Sequence, residues 1–241
     1  MVCGLLLAGI STAGQDDKSK SLYTSDIAIE SKHLKHGFVP NGDVSKPEWA
    51  KAKWALFNHN YLGTEEYPEV ETEVASLWTK DHIYFAYRAH YTALNFYAGE
   101  DPAKERWKLW ERDVVEVFLN PRPEHLNIYY EFEVAPNNQW LDLDIDLDRK
   151  PYTNESWDSG FEHATRVNEK AKVWTCEFRI PLASMKVAAI KPGETWRLNF
   201  FRMDGKEQGA KPRHLMSWST ITPPHNGYHT PKYFGLVRFV K

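Results

Sequence analysis

Apolar and polar residues alternate through most of this chain, in short segments bounded by glycine, proline, asparagine or aspartate. In the first half these segments lie at 70–78, 83–91, 113–120, 128–136 and 140–148. In the second half they lie at 161–167, 172–180, 195–202, 215–219 and 234–240. A period of two is typical of half-buried strands, and no long helical segments separate them. The pattern therefore predicts an all-β fold, an antiparallel β-sandwich or jelly roll.

One segment near the N-terminus departs from this alternation. Ser45 followed by Pro47 resembles a helix cap and a first-turn proline, and Trp49 begins an apolar pattern at helical spacing that ends near Trp54. We predict one short N-terminal helix here, with its tryptophans closing the bottom of the core.

The 241 residues, 42% of them hydrophobic, suffice for one substantial core and hence one domain. An apolar run followed by small residues is typical of a signal peptide at 1–14, which predicts a secreted or periplasmic protein. We expect a leader at 15–37, polar at first and extended near its end, and the domain proper at 38–241. No later stretch approaches the roughly 18 apolar residues of a membrane span, so none is expected.

Charge narrows the range of partners. The 30 basic and 33 acidic residues are mixed along the chain and leave a formal net charge of -3. Because no basic stripe is available to neutralise a row of phosphates, nucleic acid is not an expected partner.

An ordered set of aromatic and acidic motifs carries a family resemblance. The set comprises SLWTKDHIYFAYR, the run WERDVVEVF at 110–118, YYEFEVAPNN, EFRIPL, and SWS before HTPKYFG. Together they resemble the family 9 carbohydrate-binding modules, over most of the chain. The resemblance implies a DOMON-like β-sandwich that holds the end of a sugar chain between two aromatic rings.

The resemblance assigns roles to particular residues. Trp110, just before the Asp-x-x-Glu strand, and Tyr228, in the loop before the final strand, would be the two stacking walls. Glu116 matches the acidic residue that hydrogen-bonds the sugar, and His225 and Asn226 stand where the family supplies an amide. A pyranose suits such a site because its apolar face stacks on rings while its hydroxyls need fixed partners.

The chain also departs from the family pattern. Glu133 stands where the family has a binding arginine, so Arg88 or Arg112 would have to supply the cation. Trp107, close to Trp110, is a candidate for an extra subsite. The alternative is that Trp110 anchors the interior and that the acidic strand residues face solvent.

Four aspartates alternate along the segment LDLDIDLD. Asp142, Asp144, Asp146 and Asp148 share one face of a strand, where like charges repel. A bound calcium ion would relieve that repulsion, and the resembling family carries structural calcium. The alternative is a solvated acidic edge that discourages aggregation.

Catalysis is the first competing hypothesis. Asp113, Glu116, Glu131 and Glu133 offer paired carboxylates of the kind that glycosidases use. Carboxylates are common, however, and no specific catalytic motif is present. We therefore do not expect an enzyme.

Electron transfer is the second competing hypothesis, since some DOMON-like domains hold b-type haem. The candidate ligands are Met203, Met216, His214, His225 and His229. Surface histidines and core methionines are far commoner than haem ligands, and no CxxCH motif is present, so haem is not expected.

The sequence thus predicts non-catalytic binding of a β-glucan, xylan or related glycan. The expected partners are an oligo- or polysaccharide and, in polysaccharide breakdown or uptake, glycoside hydrolases or sugar transport proteins.

Overall fold

The computed structural model describes residues 22–205 and 213–241. The predicted signal peptide at 1–14 and the start of the predicted leader lie outside the described residues. The first seven strands are β1 Ala28–His33, β2 Ala55–Phe57, β3 Thr72–Trp78, β4 His82–His90, β5 Val114–Asn120, β6 Ile128–Val134 and β7 Trp140–Asp146. The remaining strands are β8 Thr153–Asn154, β9 Glu162–Asn168, β10 Val173–Pro181, β11 Thr195–Asp204, β12 His214–Ser217 and β13 Gly235–Val240. The predicted all-β class is confirmed.

The predicted N-terminal helix is wrong. The chain forms a single turn of 3-10 helix at Trp49–Lys51, and Ala52 is already extended. Trp49 is buried, and its indole N–H donates to Oε1 of Glu177 at 2.6 Å. That anchor fixes one turn, and one turn has too few hydrogen bonds to propagate into an α-helix by itself.

The other helical elements are equally short, and the described residues contain no α-helix. These 3-10 turns are Pro68–Val70, Leu109–Glu111, Leu182–Met185 and Pro231–Tyr233. In the described part of the chain no helix is long and apolar enough to cross a membrane.

The strands form one curled sheet rather than the two separate sheets of the predicted sandwich. Hydrogen bonds run without interruption in the order β8-β7-β6-β5-β11-β13-β1-β3-β4-β10-β9, with β12 beside β11 and β2 beside β3. Most pairs are antiparallel, but β1 is parallel to both neighbours. This strand belongs to the segment predicted to precede the domain, so the sheet begins before residue 38. Inserting β1 between β13 and β3 joins what would otherwise be two sheets.

The main core lies inside the curl. Phe132 and Phe200 from one half of the sheet pack in the same cluster as Phe85, Tyr87 and Phe178 from the other half. Side chains alternate across a strand, so β5, β6, β7 and β11 each have a second face that points away from this core. That second face carries a smaller cluster that includes Phe118, Leu143 and Phe201. The candidate site lies on this second face.

Candidate functional site

A cavity of about 540 Å³ lies on the second face of β5, β6 and β7. Its floor consists of strand residues, and its walls come from three loops and from β8 and β12. The lining residues are Tyr61, Trp107, Trp110, Glu116, Phe118, Glu131, Leu143, Tyr152, Thr153, Met203, Arg213, Leu215, Gly227, Tyr228 and His229. The volume falls within the range of roughly 300–1,000 Å³ that is usual for small-molecule sites.

Two tryptophans form one side of the cavity. The rings of Trp107 and Trp110 meet edge to face, with centroids 4.9 Å apart and an interplanar angle of 85°. Leu109, between them, is fully buried and belongs to the 3-10 turn that begins there. The loop is thereby fixed to the core, while Trp110 stays half-buried and Trp107 is 37% exposed. On this side of the cavity the ring of Trp110 packs partly against the core, whereas the ring of Trp107 is more exposed to solvent.

Tyr228 lies on the cavity wall formed by the loop before β13. Its ring stacks on Phe201 of β11, and the edge of Tyr61 approaches it with centroids 5.8 Å apart. Its hydroxyl donates to the backbone carbonyl of Met216 at 3.2 Å. One face of the tyrosine is thus used in packing, and the residue still lines the cavity.

Two carboxyl groups form the polar part of the floor. Glu116 of β5 and Glu131 of β6 are 1% and 3% exposed, although both line the cavity. Burial raises the pKa of Glu116 well above its usual range, and the charge of Glu131 raises it further. Burial likewise raises the pKa of Glu131. These groups bind protons, or a ligand that replaces them, more readily than surface carboxyls do.

The cation that lines the cavity is Arg213. Its charge lowers the pKa of Glu116, opposing the effect of burial, and its guanidinium donates to the backbone carbonyl of Trp110. His229 has the same kind of influence on Glu131, and its Nδ1 lies 2.7 Å from the hydroxyl of Tyr129. Positive charge therefore reaches the floor from the two walls.

The structure thus brings four of the predicted sugar-binding residues together: Trp107, Trp110, Glu116 and Tyr228. His225 and Asn226 do not line the cavity but shape the loop that carries Tyr228. The backbone N–H of Asn226 donates to Oγ1 of Thr230. Nδ1 of His225 accepts from the backbone N–H of Gly227.

The two arginines predicted to replace the family's cation lie elsewhere. Arg88 pairs with Glu73 at 3.4 Å, and its guanidinium lies 3.8 Å from the ring centroid of Trp54. Arg112 is next to the cavity loop, but its guanidinium lies over the ring of Tyr97. Neither arginine lines the cavity, because spacing along the chain does not tell which side of the curled sheet a side chain faces.

The aspartates proposed as calcium ligands have separate partners. Asp142 is buried and accepts the backbone N–H of Ser159 at 2.9 Å. Asp144 pairs with Arg149 at 3.2 Å, and Asp146 accepts from the backbone of residue 148. Across 22–205 and 213–241, no group of three or more His, Cys, Asp or Glu residues is arranged to hold a metal ion. Calcium on these aspartates stays a prediction without structural support.

Some of the residues considered for haem or hydrolysis lie in the cavity, as Glu116 and Glu131 do, and others lie outside it. Met203 and His229 line the cavity, whereas Met216 is fully buried and His214 pairs with Asp204 at 2.8 Å. Asp113 accepts the backbone N–H of Gly205, and burial raises its pKa to about 6. Through this contact Asp113 holds the backbone at Gly205, directly after β11.

Sequence reasoning missed Tyr61, Arg213 and Tyr152 as cavity residues. Each lies in a segment between strands, where no periodicity indicates its direction. Glu131 was considered only as a candidate catalytic acid. The alternation of side chains along β6 favours one that points away from the core. The only feature of the sequence that could have indicated these cavity residues is a long loop that carries an isolated aromatic or basic residue.

A curled all-β module with one face closed over by loops into an aromatic and acidic cavity is a ligand-binding domain by architecture. The chain belongs to the family described as carbohydrate family 9 binding domain-like, whose model matches residues 41–241.

One relative is similar to this chain over part of its length. An extracellular protein of the fungus Arthroderma benhamiae is 27% identical over 145 residues, which cover 55% of this chain and 63% of that relative's length. The match thus spans less than two thirds of the relative.

Solved structures share the fold. A candidate carbohydrate-binding protein from Bacteroides uniformis superposes with a TM-score of 0.70 at 18% identity, over 89% of this chain and 100% of the other. A family 9 module from Caldicellulosiruptor kristjanssonii in complex with cellotriose gives a TM-score of 0.63 at 16% identity, over 89% and 94%. The glucose complex of a family 9 module from the same organism gives 0.62 at 15%, over 87% and 95%. At these identities the similarity concerns the fold.

Proposed function

We propose that this chain is a non-catalytic carbohydrate-binding module that holds an oligosaccharide in the cavity between Trp110 and Tyr228. The observation that carries the proposal is the presence of aromatic rings and buried carboxyl groups in one cavity. Such a combination suits a molecule with an apolar face and a rim of hydroxyls, which describes a pyranose.

Each part of the cavity has a separate role in this proposal. The rings of Trp110 and Tyr228 cover the apolar C–H faces of the sugar. Glu116 and Glu131 accept hydrogen bonds from its hydroxyls, and Arg213 balances their charge and donates where it can. Trp107, the more exposed tryptophan, extends the stacking surface toward the next sugar unit.

The ligand class is a β-glucan, xylan or related glycan, bound at or near a chain end. The family model and the fold shared with modules that hold cellotriose and glucose support this choice. We further propose that the protein acts outside the cell or in the periplasm, in polysaccharide breakdown or uptake, alongside glycoside hydrolases or sugar transporters. The extracellular relative supports the location.

Isothermal titration of the full chain with glucose, cellobiose, cellotriose and xylobiose tests the proposal. Saturable binding is expected to cellobiose or xylobiose, and Trp110→Ala should remove it. Trp54→Ala is the matched control, because Trp54 is a half-buried tryptophan outside the cavity. It should bind sugar as the unsubstituted chain does.

Four outcomes would count against the proposal. Equal loss of binding in both variants would indicate a general effect on folding, and no heat with any sugar would reject sugar binding at this cavity. Release of glucose from cellotriose would show a hydrolase. A Soret absorbance near 410 nm after supplying haem would instead favour the redox alternative.

A further inference from the structure

A third buried carboxyl stands behind the two on the cavity floor. Glu133 of β6 is opposite Glu116 in the β5–β6 register and two residues from Glu131 on the same strand face. Glu116, Glu131 and Glu133 are 1%, 3% and 0% exposed. Three acids thus share one desolvated patch beneath the cavity.

These carboxyls lack the donors that buried acids normally have. Both oxygens of Glu116, both of Glu133 and Oε2 of Glu131 receive no hydrogen bond from an amide, hydroxyl or cation of the described chain. Glu131 and Glu133 interact with each other, which requires a proton on one of them, and burial together with the neighbouring charges raises the pKa of Glu133 well above its usual range. Of the three acids, Glu116 and Glu131 are the two that line the cavity.

The same chain compensates a buried carboxylate fully elsewhere. Oε2 of Glu177 accepts the backbone N–H groups of Asn41 and Gly42, each at 2.8 Å, and the ammonium of Lys46 at 3.0 Å. Oε1 accepts the indole N–H of Trp49 at 2.6 Å. A buried charge without partners is strongly destabilising. The contrast indicates that the floor acids receive their donors from a ligand.

Charge decides which kind of donor suits them. The charged or titratable groups of the described chain that interact with the floor acids, besides those acids themselves, are Arg213, His229, Tyr87, Tyr129, Tyr152 and Tyr228. Among these described groups, only Arg213 is a permanent cation. Sugar hydroxyls can form hydrogen bonds with these acids but do not favour their charged form, whereas an ammonium group forms hydrogen bonds and stabilises the carboxylates that remain after proton release.

We propose that the cavity prefers a saccharide carrying a protonated amine, such as a glucosamine unit, over the neutral sugar of the same ring shape, with Glu116 and Glu131 receiving the ammonium. This inference rests on the proposed function, since it names the ligand class of the same cavity. Binding displaces the protons that these acids hold in the free protein and releases them to the buffer.

Matched ligands test the preference. Isothermal titration of the full chain at pH 7 compares the methyl β-glycosides of glucose, glucosamine and N-acetylglucosamine, which differ only at C2. Glucosamine is expected to bind at least about tenfold more tightly than glucose, a difference of about 1.4 kcal/mol. The acetylated ligand should lose this gain because its nitrogen carries no charge. Titration in phosphate and in Tris should give different apparent enthalpies for the amine, which reports proton release.

Two variants link the preference to the floor. Glu131→Gln removes one ionisable group and keeps the shape, so the ratio of glucosamine affinity to glucose affinity should fall toward unity, whatever the change in glucose binding itself. Glu162→Gln is the control, since this exposed acid pairs with Arg179 outside the cavity. Because Glu131→Gln removes one ionisable group from the acidic cluster, the variant should fold at least as well as the original chain.

The outcomes separate this inference from the proposed function. Glucose binding as tightly as glucosamine would overturn the amine preference and leave sugar binding standing. An amine preference that survives Glu131→Gln would place the ammonium elsewhere and also overturn it. Absence of binding to every sugar and oligosaccharide would reject both.

Discussion

The ring of Tyr228 lies parallel to the ring of Phe201, with centroids 4.1 Å apart and an interplanar angle of 14°. A loop aromatic is thus seated on a strand residue whose neighbour in the β5–β11 register is Glu116. Loop, strand and carboxyl form one unit, so the loop before β13 is positioned by the sheet itself. The cavity wall is consequently in place before any ligand arrives.

Tyr228→Phe should separate ring stacking from the hydroxyl. The variant keeps the contact with Phe201 but loses the hydrogen bond to the carbonyl of Met216, so the free energy of unfolding should fall by about 1 kcal/mol. Sugar binding should stay within about threefold, because the ring is retained. Tyr228→Ala should lose binding altogether. Urea unfolding and isothermal titration measure the two effects, and a Phe variant without affinity would show that the hydroxyl contacts the ligand.

Arg213→Ala should weaken sugar binding about tenfold or more, because it removes the cation beside Glu116 and the donor to the carbonyl of Trp110. Arg88→Ala is the matched control: this half-buried arginine pairs with Glu73 away from the cavity. It should leave affinity unchanged. Titration of both variants with cellobiose checks this, and equal affinities for the two would show that Arg213 has no role in binding.

Glu105 should make stability fall as pH rises. Burial, followed by the hydrogen bond and the charge of Asp142, raises the pKa of Glu105 from 4.5 to about 7. Between these values the folded chain holds more protons than the unfolded chain, so this contribution is full below about pH 4.5 and is lost as pH rises through about 7.

Glu105→Gln removes this titration. The difference in the free energy of unfolding between the original chain and the variant should therefore shift against the original between pH 4.5 and 7, then level off. Urea unfolding of both proteins across this range tests the sign. A difference that does not vary with pH would show that Glu105 titrates normally.

Chelation should not destabilise the fold through the β7 aspartates. Asp142, Asp144 and Asp146 have separate partners, and their arrangement offers no shared ion site among the described residues. We therefore expect the same Tm with and without EDTA. A Tm lowered by EDTA and restored by calcium would show a cation site, and loss of the effect in Asp142→Asn would place it on this strand.

Local sequence determined most of the strands. The predicted segments at 128–136 and 140–148 coincide with β6 and β7 to within about two residues, because alternation of apolar side chains is a local property. The 3-10 turn at Trp49–Lys51 could not be predicted from local sequence in the same way. Helical spacing was present, but burial of Trp49 against Glu177 depends on a contact between residues far apart in the chain.

Aromatic positions in the site were more predictable than polar ones. Trp110 and Tyr228 follow from the family's motif order, and both line the cavity. The cation did not follow, since Arg213 reaches the cavity from a segment without periodicity. Arg88, on a strand, was predicted to supply this cation, but its side chain lies at a different part of the sheet.

The sequence by itself determined the β class, most of the strands, and three aromatic residues of the cavity, Trp107, Trp110 and Tyr228. Only the tertiary structure decided that the second face of β5 and β6 is covered by loops, which buries Glu116, Glu131 and Glu133. The physical reason is that alternation assigns side chains to two faces, whereas burial of a face depends on which distant segments pack over it. Those segments, with Tyr61 and Arg213 among them, come together only when the sheet curls.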